Sequence, residues 1–433
     1  MKRFKLLPVL IACIILVSGC DAKITQTDDT VLPKEDNATE ITIEVWDNTN
    51  FYVNAAPRFE EETGIKVNVI NNYKTGQSIT EGYSANEERI QAELMAGKGS
   101  DIYAGIYLDF IGIGQTGHLC NLANWIAEDS SFSDDAYYMN ILKSGFDDGD
   151  VYSVPLFMMF SALGSTIEVP ELRGQSLSWE EFFELAQGIK RSGVLYGITD
   201  YEIFRRRFRD RYHYFIDKEN KTQNLDSPEM VELMAQCKKW SSEGLCIQYG
   251  TENYTEMFEN AFFKEPGGGG MDLLTNFRFD NPYLDNEFYN YDIPSDSGKN
   301  DKANKISTKD FICINAASPY KGTAWKFVKF LLSEDIQVAG LFTPVNRKAA
   351  VEHISRSLDK IVESLGVKID SDKVIEESEA ILDAVDDVPY SIQQTDIEKI
   401  IFKEAKRFFS NEISADAAAK SMAATMKLYF KEQ

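Results

Sequence analysis

The sequence predicts an α/β fold of two or three lobes, in which helices cover a largely parallel sheet. Short strand patterns alternate with amphipathic helix patterns through the first hundred residues, as in consecutive βα units. Glycines follow the first helix patterns, where a left-handed residue commonly ends a helix. A chain of 433 residues is long enough to build more than one hydrophobic core. Alternation, helix ends and length agree on this fold class.

The first elements follow from their periodicity. Ile41, Ile43 and Val45 alternate with polar residues, which predicts a half-buried strand. Apolar residues at helical spacing begin at Phe51 and end at Gly64. In order, the predicted elements are a strand at 41–46, a helix from Phe51 to Gly64, a strand at 65–70, a helix at 87–95 stopped by Gly97, and a strand at 101–106.

The middle and the end of the chain are richer in helix. Ser178 and Glu181 form a capping-box pattern, and Ser227 precedes a proline that suits a first helical turn. Two amphipathic helices are predicted at 396–409 and 415–430. Short apolar strands are predicted at 151–154, 271–274 and 311–314.

The N-terminus has the pattern of an export signal. Basic residues precede an apolar run from Leu6 to Val17 that is too short to span a bilayer. The ending Val17-Ser18-Gly19-Cys20 resembles the bacterial lipobox, at which the chain is cleaved before a cysteine that is then lipidated. We predict a lipoprotein signal peptide at 1–19 and a flexible tether at 20–40, with a lipid on Cys20 that anchors the protein outside the cytoplasmic membrane. An ordinary signal peptide with an incidental cysteine is the alternative.

Composition and residue spacing exclude several classes of protein. The chain has 69 acidic and 45 basic residues and a formal net charge of −24, which argues against nucleic-acid binding. Since no second apolar run is long enough to span a membrane, contact with the membrane is predicted through the lipid anchor only. The histidines lie far apart and the cysteines lack metal-ligand spacing, so no metal site is predicted. The sequence leaves open whether Cys237 and Cys246 form a disulfide or are buried as thiols.

A glycine-rich segment from Gly112 to Gly117 matches the pattern G-x-G-x-x-G. This pattern binds dinucleotides in βαβ units, with an acidic residue further along the chain, here Asp134 or Asp135. An exported lipoprotein has little use for a dinucleotide. We therefore interpret the segment as a glycine-rich helix start and predict no cofactor.

Residues 204–215 mix five arginines with aromatic side chains. The aromatic residues recur at helical spacing, which predicts a stripe facing the core with the arginines directed outward. These aromatic residues are Phe204, Phe208, Tyr212 and Phe215. The sequence leaves open whether any of the arginines from Arg205 to Arg211 contacts a ligand.

Several further segments, in the right order, resemble the extracellular solute-binding proteins of ABC importers, and maltose-binding proteins in particular. They include the first helix-to-strand junction, the next such junction, a first crossover between lobes and a C-terminal strand-to-helix run. The segments lie at 59–67, 95–103, 117–119, 151–156, 261–274, 314–319 and 324–327. Each motif is weak alone, but together they cover roughly residues 41 to 430.

The resemblance implies a periplasmic-binding-protein-like fold of type II, in which two hinge-connected α/β lobes close over a ligand in the cleft between them. It places 41–154 and 311–333 in the N-terminal lobe, and 155–310 and 334–433 in the C-terminal lobe. It also implies a monomer that delivers its ligand to the transmembrane subunits of an ABC permease and performs no catalysis.

The predicted ligand is a sugar or an oligosaccharide. A sugar ring offers apolar faces to aromatic side chains and a rim of hydroxyls to short polar ones. Candidate contacts follow the predicted strands, where open α/β sheets bind ligands, or stand where relatives carry aromatic residues. They are Trp46, Asp47, Asn48, Asn50, Tyr107, Asp109, Asn276, Phe277, Phe279 and Tyr390. Because Gly105 and Leu108 replace ligand-contacting residues of the maltose receptor, the prediction does not extend to maltose itself.

Two alternatives remain at this point. The first is a receptor for a cationic solute such as a polyamine, which would use Asp47, Asp109 and other acids of the cleft. The second is a surface glycan-degrading enzyme, although the chain has no nucleophile elbow, P-loop or HExxH motif.

Overall fold

Two six-stranded sheets, each with helices packed around it, form the body of the computed structural model. The predicted signal peptide and Cys20 lie outside the residues that it describes. These residues are 31–74, 79–105, 108–143, 149–160, 163–165, 175, 177–188, 195–196, 199–218, 220–247, 263–264, 279–281, 286–291, 293–297, 306–365, 370–385 and 396–432.

The strands and helices of the described residues are numbered here in chain order. The strands are β1 (Glu40–Val45), β2 (Lys66–Asn71), β3 (Ile102–Ala104), β4 (Val154–Phe160), β5 (Leu163–Ser165), β6 (Leu195–Tyr196), β7 (Ile216–Asp217), β8 (Thr222–Gln223), β9 (Cys246–Ile247), β10 (Phe263–Lys264), β11 (Phe279–Asn281), β12 (Asn286–Tyr291), β13 (Ile306–Ile314) and β14 (Thr343–Pro344). The helices are α1 (Phe51–Thr63), α2 (Ile79–Met95), α3 (Phe110–Gln115), α4 (Ala123–Glu128), α5 (Met139–Leu142), α6 (Trp179–Gly188), α7 (Asp200–Asp210), α8 (Tyr212–Phe215), α9 (Pro228–Ser242), α10 (Lys321–Leu331), α11 (Glu334–Gln337), α12 (Arg347–Leu365), α13 (Ser371–Ala384), α14 (Asp396–Phe409) and α15 (Ala415–Glu432).

The first sheet has the strand order β14-β4-β13-β3-β1-β2. β1 runs parallel to both β2 and β3, as the βα alternation predicts. β13 runs antiparallel to β3 and β4, and β14 runs antiparallel to β4, so the sheet is mixed rather than largely parallel. Within this sheet, the parallel prediction is therefore confirmed for β1 to β3 alone.

The second sheet has the strand order β11-β12-β5-β10-β6-β9. β4 lies in the first sheet and β5, three residues further on, lies in the second. The chain returns between β12 and β13, and β4 and β13 pair side by side. These two strand crossings lie side by side, and the chain passes from the first core to the second once more between α13 and α14.

Each lobe has its own hydrophobic core. The first core takes its buried side chains from β1, α1, β4, β13, α10, α12 and α13, and the second takes its buried side chains from α6, α7, α9, α14 and α15. Ile336, Ile354, Val374 and Leu382 are buried in the first core. Residues 334–385 therefore pack in the first lobe, whereas the sequence placed them in the second, because their apolar faces cover the first sheet.

Local signals set several element ends as predicted. Gly64 has φ +72° and donates its N–H to the Glu60 carbonyl, which ends α1. Ser178 and Glu181 bond to each other across the start of α6. The bounds of α14 agree with the predicted 396–409.

The described end of the predicted tether is held against the first lobe. Asp36 accepts hydrogen bonds from the backbone N–H and the hydroxyl of Thr323 at the start of α10. A Cβ on Gly322 would stand 2.1 Å from the Lys34 carbonyl oxygen, so only glycine admits this close approach. Residues 34–36 are therefore held in place, although the predicted flexible tether spans 20–40.

The arginine-rich helix α7 differs from its prediction. Phe204, Phe208 and Phe215 are buried as expected. Arg207, however, points inward: its Nε lies 2.6 Å from Asp296 Oδ2, and its guanidinium lies 4.9 Å from the Trp240 ring centroid. A buried carboxylate and an aromatic face make burial of this cation favourable, which charge patterning alone does not reveal.

The cysteines of the described residues are Cys120, Cys237, Cys246 and Cys313, and all four are free thiols. The open question of a bond between Cys237 and Cys246 is thereby answered in favour of thiols. Burial raises the pKa of Cys237 to about 12, so it stays protonated. Among the residues that the structure describes, no helix combines the length and apolar character that crossing a bilayer requires.

Candidate functional site

Three backbone segments meet at the edge of the first sheet where the lobes join. Val45 pairs with Ala104, so that Trp46 and Gly105 leave β1 and β3 side by side. Gly105 donates its N–H to the Phe311 carbonyl at 3.0 Å, which brings β13 to the same place. The carboxyl ends of parallel strands, next to a crossing strand, form the edge at which ligands enter open α/β sheets.

Trp46 packs within a third group of buried side chains at this edge. Its indole is 7% exposed and meets the Tyr73 ring edge-on, with 5.0 Å between centroids. Ile90 and Leu94 of α2, with Tyr152 and Phe311, belong to the same group. The predicted aromatic residue therefore stands at the cleft edge but is mostly covered by its neighbours.

The Asp47 carboxylate forms hydrogen bonds within the turn that precedes α1. Oδ1 accepts hydrogen bonds from Thr49 N at 2.7 Å and Thr49 Oγ1 at 2.6 Å, and Oδ2 accepts one from Tyr52 N at 3.2 Å. This carboxylate satisfies a backbone N–H at the start of α1 and holds the turn between β1 and that helix. Asn71 fixes the Asp47 backbone from β2.

Asn48 and Asn50 follow in the same turn and are exposed. Asn50 has φ +62°, a left-handed conformation that asparagine tolerates better than most residues. Its carbonyl accepts from Asn54 N at 3.0 Å. Both amide side chains of this turn are thus presented at the surface beside Trp46.

Asp109 acts as the N-cap of α3. Its Oδ1 accepts a hydrogen bond from Gly112 N at 3.0 Å. A Cβ on Gly112 would stand 2.5 Å from Asp109 Oδ2, and one on Gly114 would stand 2.1 Å from the Tyr152 ring. The glycines of G-x-G-x-x-G thus permit a cap and a close packing contact, in agreement with a glycine-rich helix start.

Asp310 was missed by sequence reasoning. It lies in β13 with φ +52°, and the β13–β4 ladder skips it and resumes in the same register on either side. A Cβ on Gly105 would stand 3.7 Å from its Oδ1. Burial, and next the negative charge of Asp47, raise its pKa to about 6, which Lys309 opposes. A charged residue before the apolar run 311–314 was the available signal.

The other predicted contacts lie wholly or partly outside the described residues. Tyr107, Asn276, Phe277 and Tyr390 lie outside the described residues. Phe279 lies in β11, the edge strand of the second sheet, and its side chain is outside the description. The structure therefore brings together Trp46, Asp47, Asn48, Asn50 and Asp109 at the rim of the first lobe.

An open groove of about 740 Å³ lies elsewhere on the first lobe. It is lined mainly by α12 with parts of α11 and α13, and by none of the segments that meet at the cleft edge. Within the described part of the chain, no group of three or more His, Cys, Asp or Glu residues is arranged to hold a metal ion.

The sequence matches the bacterial extracellular solute-binding proteins over residues 46–338, which is more than half of the chain. The chain belongs to this family. The match begins at Trp46, just after β1, and includes β13, so the whole second sheet and both strand crossings lie within it, whereas β1 and β14 of the first sheet lie outside. No curated protein matches the chain in sequence.

Solved structures of solute-binding proteins have the same fold. An ABC transporter solute-binding protein of Thermotoga lettingae bound to alpha-D-tagatose is 17% identical, with a TM-score of 0.55, over 91% of this chain and 100% of that one. The maltose/maltodextrin-binding domain MalE of Bdellovibrio bacteriovorus bound to maltotriose is 16% identical, with a TM-score of 0.54, over 90% and 100%. The sugar-binding protein MalE of Xanthomonas citri is 14% identical, with a TM-score of 0.59, over 91% and 98%. The fold is that of type II periplasmic binding proteins.

Proposed function

We propose that this solute-binding protein captures an extracellular sugar or oligosaccharide in its interlobe cleft and delivers it to an ABC permease. The observation that carries the proposal is the rim of the first lobe, where Trp46 lies beside the exposed amides of Asn48 and Asn50. A sugar needs an apolar surface and hydrogen-bonding groups together. The two amides are exposed, and Trp46, which is 7% exposed, offers its uncovered part beside them. The sugar-bound similar structures add support at the level of fold.

The hydrogen bonds of Asp47 and Asp109 weigh against a polyamine receptor that uses these two carboxylates. Asp47 serves the turn before α1, and Asp109 caps α3. Both side chains are also buried, at 5% and 6% exposed, so a polyamine would have little access to these two acids. The proposal therefore keeps a sugar as the first ligand class.

Tryptophan fluorescence offers a direct test because the five tryptophans divide cleanly. Trp125 and Trp325 lie in the first core, Trp179 and Trp240 lie in the second, and Trp46 alone belongs to the group at the cleft edge. A sugar that binds in the cleft should change the emission of the wild-type chain. The change should be lost in Trp46→Phe and kept in the matched control Trp179→Phe.

The experiment uses the soluble chain of residues 21–433 with tagatose, maltotriose, other oligosaccharides, polyamines and amino acids. Thermal melting of the same samples gives a second readout, since a ligand at 100 times its Kd adds about 2.7 kcal/mol to the free energy of unfolding. Shifts with sugars support the proposal. Shifts with polyamines or amino acids and with no sugar would contradict it.

Anchoring through Cys20 is the second part of the proposal. Acyl chains on Cys20, next to a segment that leads to Asp36, would hold the lobes at the outer face of the membrane. In cells, the wild-type protein should sediment with membranes and be released by detergent. Cys20→Ser should move it to the soluble fraction, and unchanged sedimentation of that variant would contradict lipid anchoring.

A further inference from the structure

The cleft edge contains one carboxylate with no role in the local structure. Within the described ranges, no hydrogen-bond donor or ion-pair partner is found for the Asp310 side chain, which is half-buried. Asp47 and Asp109, by contrast, accept hydrogen bonds from backbone N–H groups. A half-buried carboxylate that serves no local structure calls for a functional explanation.

The backbone conformation of Asp310 is a second indication of a functional role. A left-handed conformation in the middle of a strand is costly for any residue other than glycine, and it interrupts the β13–β4 ladder. Such strain persists where the surrounding structure imposes it, and it concentrates at binding and active sites. Here the strained residue places its carboxylate next to Gly105, at the edge where β1 and β3 end.

Gly105 keeps that edge open. A Cβ at this position would stand 3.7 Å from Asp310 Oδ1 and 2.9 Å from the Trp46 carbonyl oxygen. Gly105 itself has φ +61°, so its conformation also favours glycine. With no side chain at position 105, no Cβ fills the space between the Trp46 backbone and the Asp310 carboxylate.

We propose that Asp310 contacts the bound solute, and that its carboxylate accepts hydrogen bonds from O–H or N–H donors of the ligand. This inference rests on the proposed function and adds to it the residue that would set affinity. A sugar presents hydroxyl donors and a cationic solute presents ammonium donors. The same carboxylate would serve either, and Asp47 nearby makes the position more negative still.

The pH dependence follows from the groups that face Asp310. Burial and the charge of Asp47 raise the pKa of Asp310, and Lys309 lowers it. A protonated carboxyl loses much of its capacity as an acceptor, so affinity should rise as the pH passes through about 6. In the ligand-free protein the ionised form is disfavoured, so stability that is present below the ordinary pKa of aspartate is lost as the pH rises through about 6.

Asp310→Asn separates a ligand contact from a structural role. Asparagine matches the shape of aspartate and tolerates a left-handed backbone, so the variant should fold. Removing a disfavoured charge should raise the Tm of the ligand-free protein at pH 8. Replacing one acceptor oxygen with an NH2 donor and removing the charge should weaken ligand binding at least tenfold and flatten the dependence of affinity on pH between 5 and 8. Asp134→Asn, at an exposed aspartate outside the cleft edge, is the matched control.

The experiment measures the Tm and the Kd of the soluble chain 21–433 and both variants, with maltotriose, tagatose and spermidine as probes. A higher Tm with weaker sugar binding supports the inference with a sugar ligand, and the same result with spermidine alone supports it with a cationic one. A lower Tm, or binding that Asp310→Asn leaves unchanged, overturns the inference while the proposed function stands. If wild-type protein binds none of these probes or the wider sugar panel, the proposed function and the inference fall together.

Discussion

Lys399 of α14 in the second lobe places its Nζ 2.8 Å from Glu87 Oε1 of α2 in the first lobe. The two residues are separated by 312 positions in the chain, and both side chains are partly exposed. The ion pair therefore joins the two lobes through side chains alone. Such a tie acts on the distance between the lobes rather than on the stability of either one.

The first prediction is that Glu87→Gln loosens the contact between the lobes. A partly exposed ion pair contributes about 0.2–1 kcal/mol, which corresponds to at most about a fivefold change in an equilibrium constant. The radius of gyration of the ligand-free variant, measured by small-angle X-ray scattering, should increase. Ligand affinity should fall by up to this factor because lobe closure would then lose one favourable contact.

The neighbouring Glu88 provides the control for this prediction. It is exposed, and among the described residues it has no ion-pair partner, so Glu88→Gln should leave the scattering unchanged. High salt should reduce the difference between wild-type protein and Glu87→Gln, since screening weakens the pair. Equal scattering from both variants at low salt would contradict the assigned role.

The second prediction concerns the buried pair of Arg207 and Asp296. Both side chains are 1% exposed, and Asp296 Oδ1 also accepts from Trp179 N at the start of α6. Arg207→Met should lower the free energy of unfolding by about 3 kcal/mol or more, because it leaves a buried carboxylate with one partner fewer. Urea unfolding measures this loss.

Arg211 supplies the comparison because it binds the same carboxylate from a more exposed position. Its Nη2 lies 2.9 Å from Asp296 Oδ2, and its side chain is 38% exposed. Arg211→Met should cost less than about 1 kcal/mol, since Arg207 still compensates Asp296. Similar losses of unfolding free energy in the two variants would show that burial of Arg207 does not determine how much its ion pair contributes.

The third prediction tests the packing role of Gly114. A methyl group there would overlap the Tyr152 ring, which a 2.9 Å hydrogen bond from its hydroxyl to Asp150 holds in place. Gly114→Ala should therefore lower the free energy of unfolding by about 1–3 kcal/mol. Gly188→Ala is the control: a Cβ there meets nothing within 4 Å, and alanine favours a helix, so stability should stay equal or rise. A neutral Gly114→Ala would contradict the packing account.

Local signals predicted much of the fold, because caps and periodicity act over a few residues. Gly64 ends α1, and the amphipathic patterns gave α14 and α15. The lobe of residues 334–385 could not be predicted in this way, because their apolar faces fit either core and tertiary packing decides between them. The inward turn of Arg207 was missed because its partner Asp296 lies 89 residues away.

The sequence indicates the strand ends at which candidate ligand contacts lie, but not how the side chains there are bonded. Strand ends at Trp46 and near Asp109 could be read from the sequence, and both stand at the cleft edge. The hydrogen bond that Asp47 accepts from Thr49 could be predicted in part, because an aspartate two residues before a threonine is a common turn pattern. The role of Asp310 could not be predicted from the sequence, because its left-handed φ and its closeness to Asp47 arise only when β13 meets β1 and β3.

The fourth prediction is a loss of stability at mildly acidic pH through His353. Burial first, and then the charges of Lys360 and Arg356, lower the pKa of this half-buried histidine in α12 to about 4, from 6.5. Between these two values the unfolded chain binds a proton that the folded chain does not, so the free energy of unfolding falls as the pH drops from about 6.5 to about 4. His353→Leu should reduce this fall. The measurement is the difference in urea midpoint between the two proteins at several pH values, in which the carboxylates common to both cancel. Parallel pH profiles for wild-type protein and His353→Leu would mean that His353 does not cause the acid sensitivity.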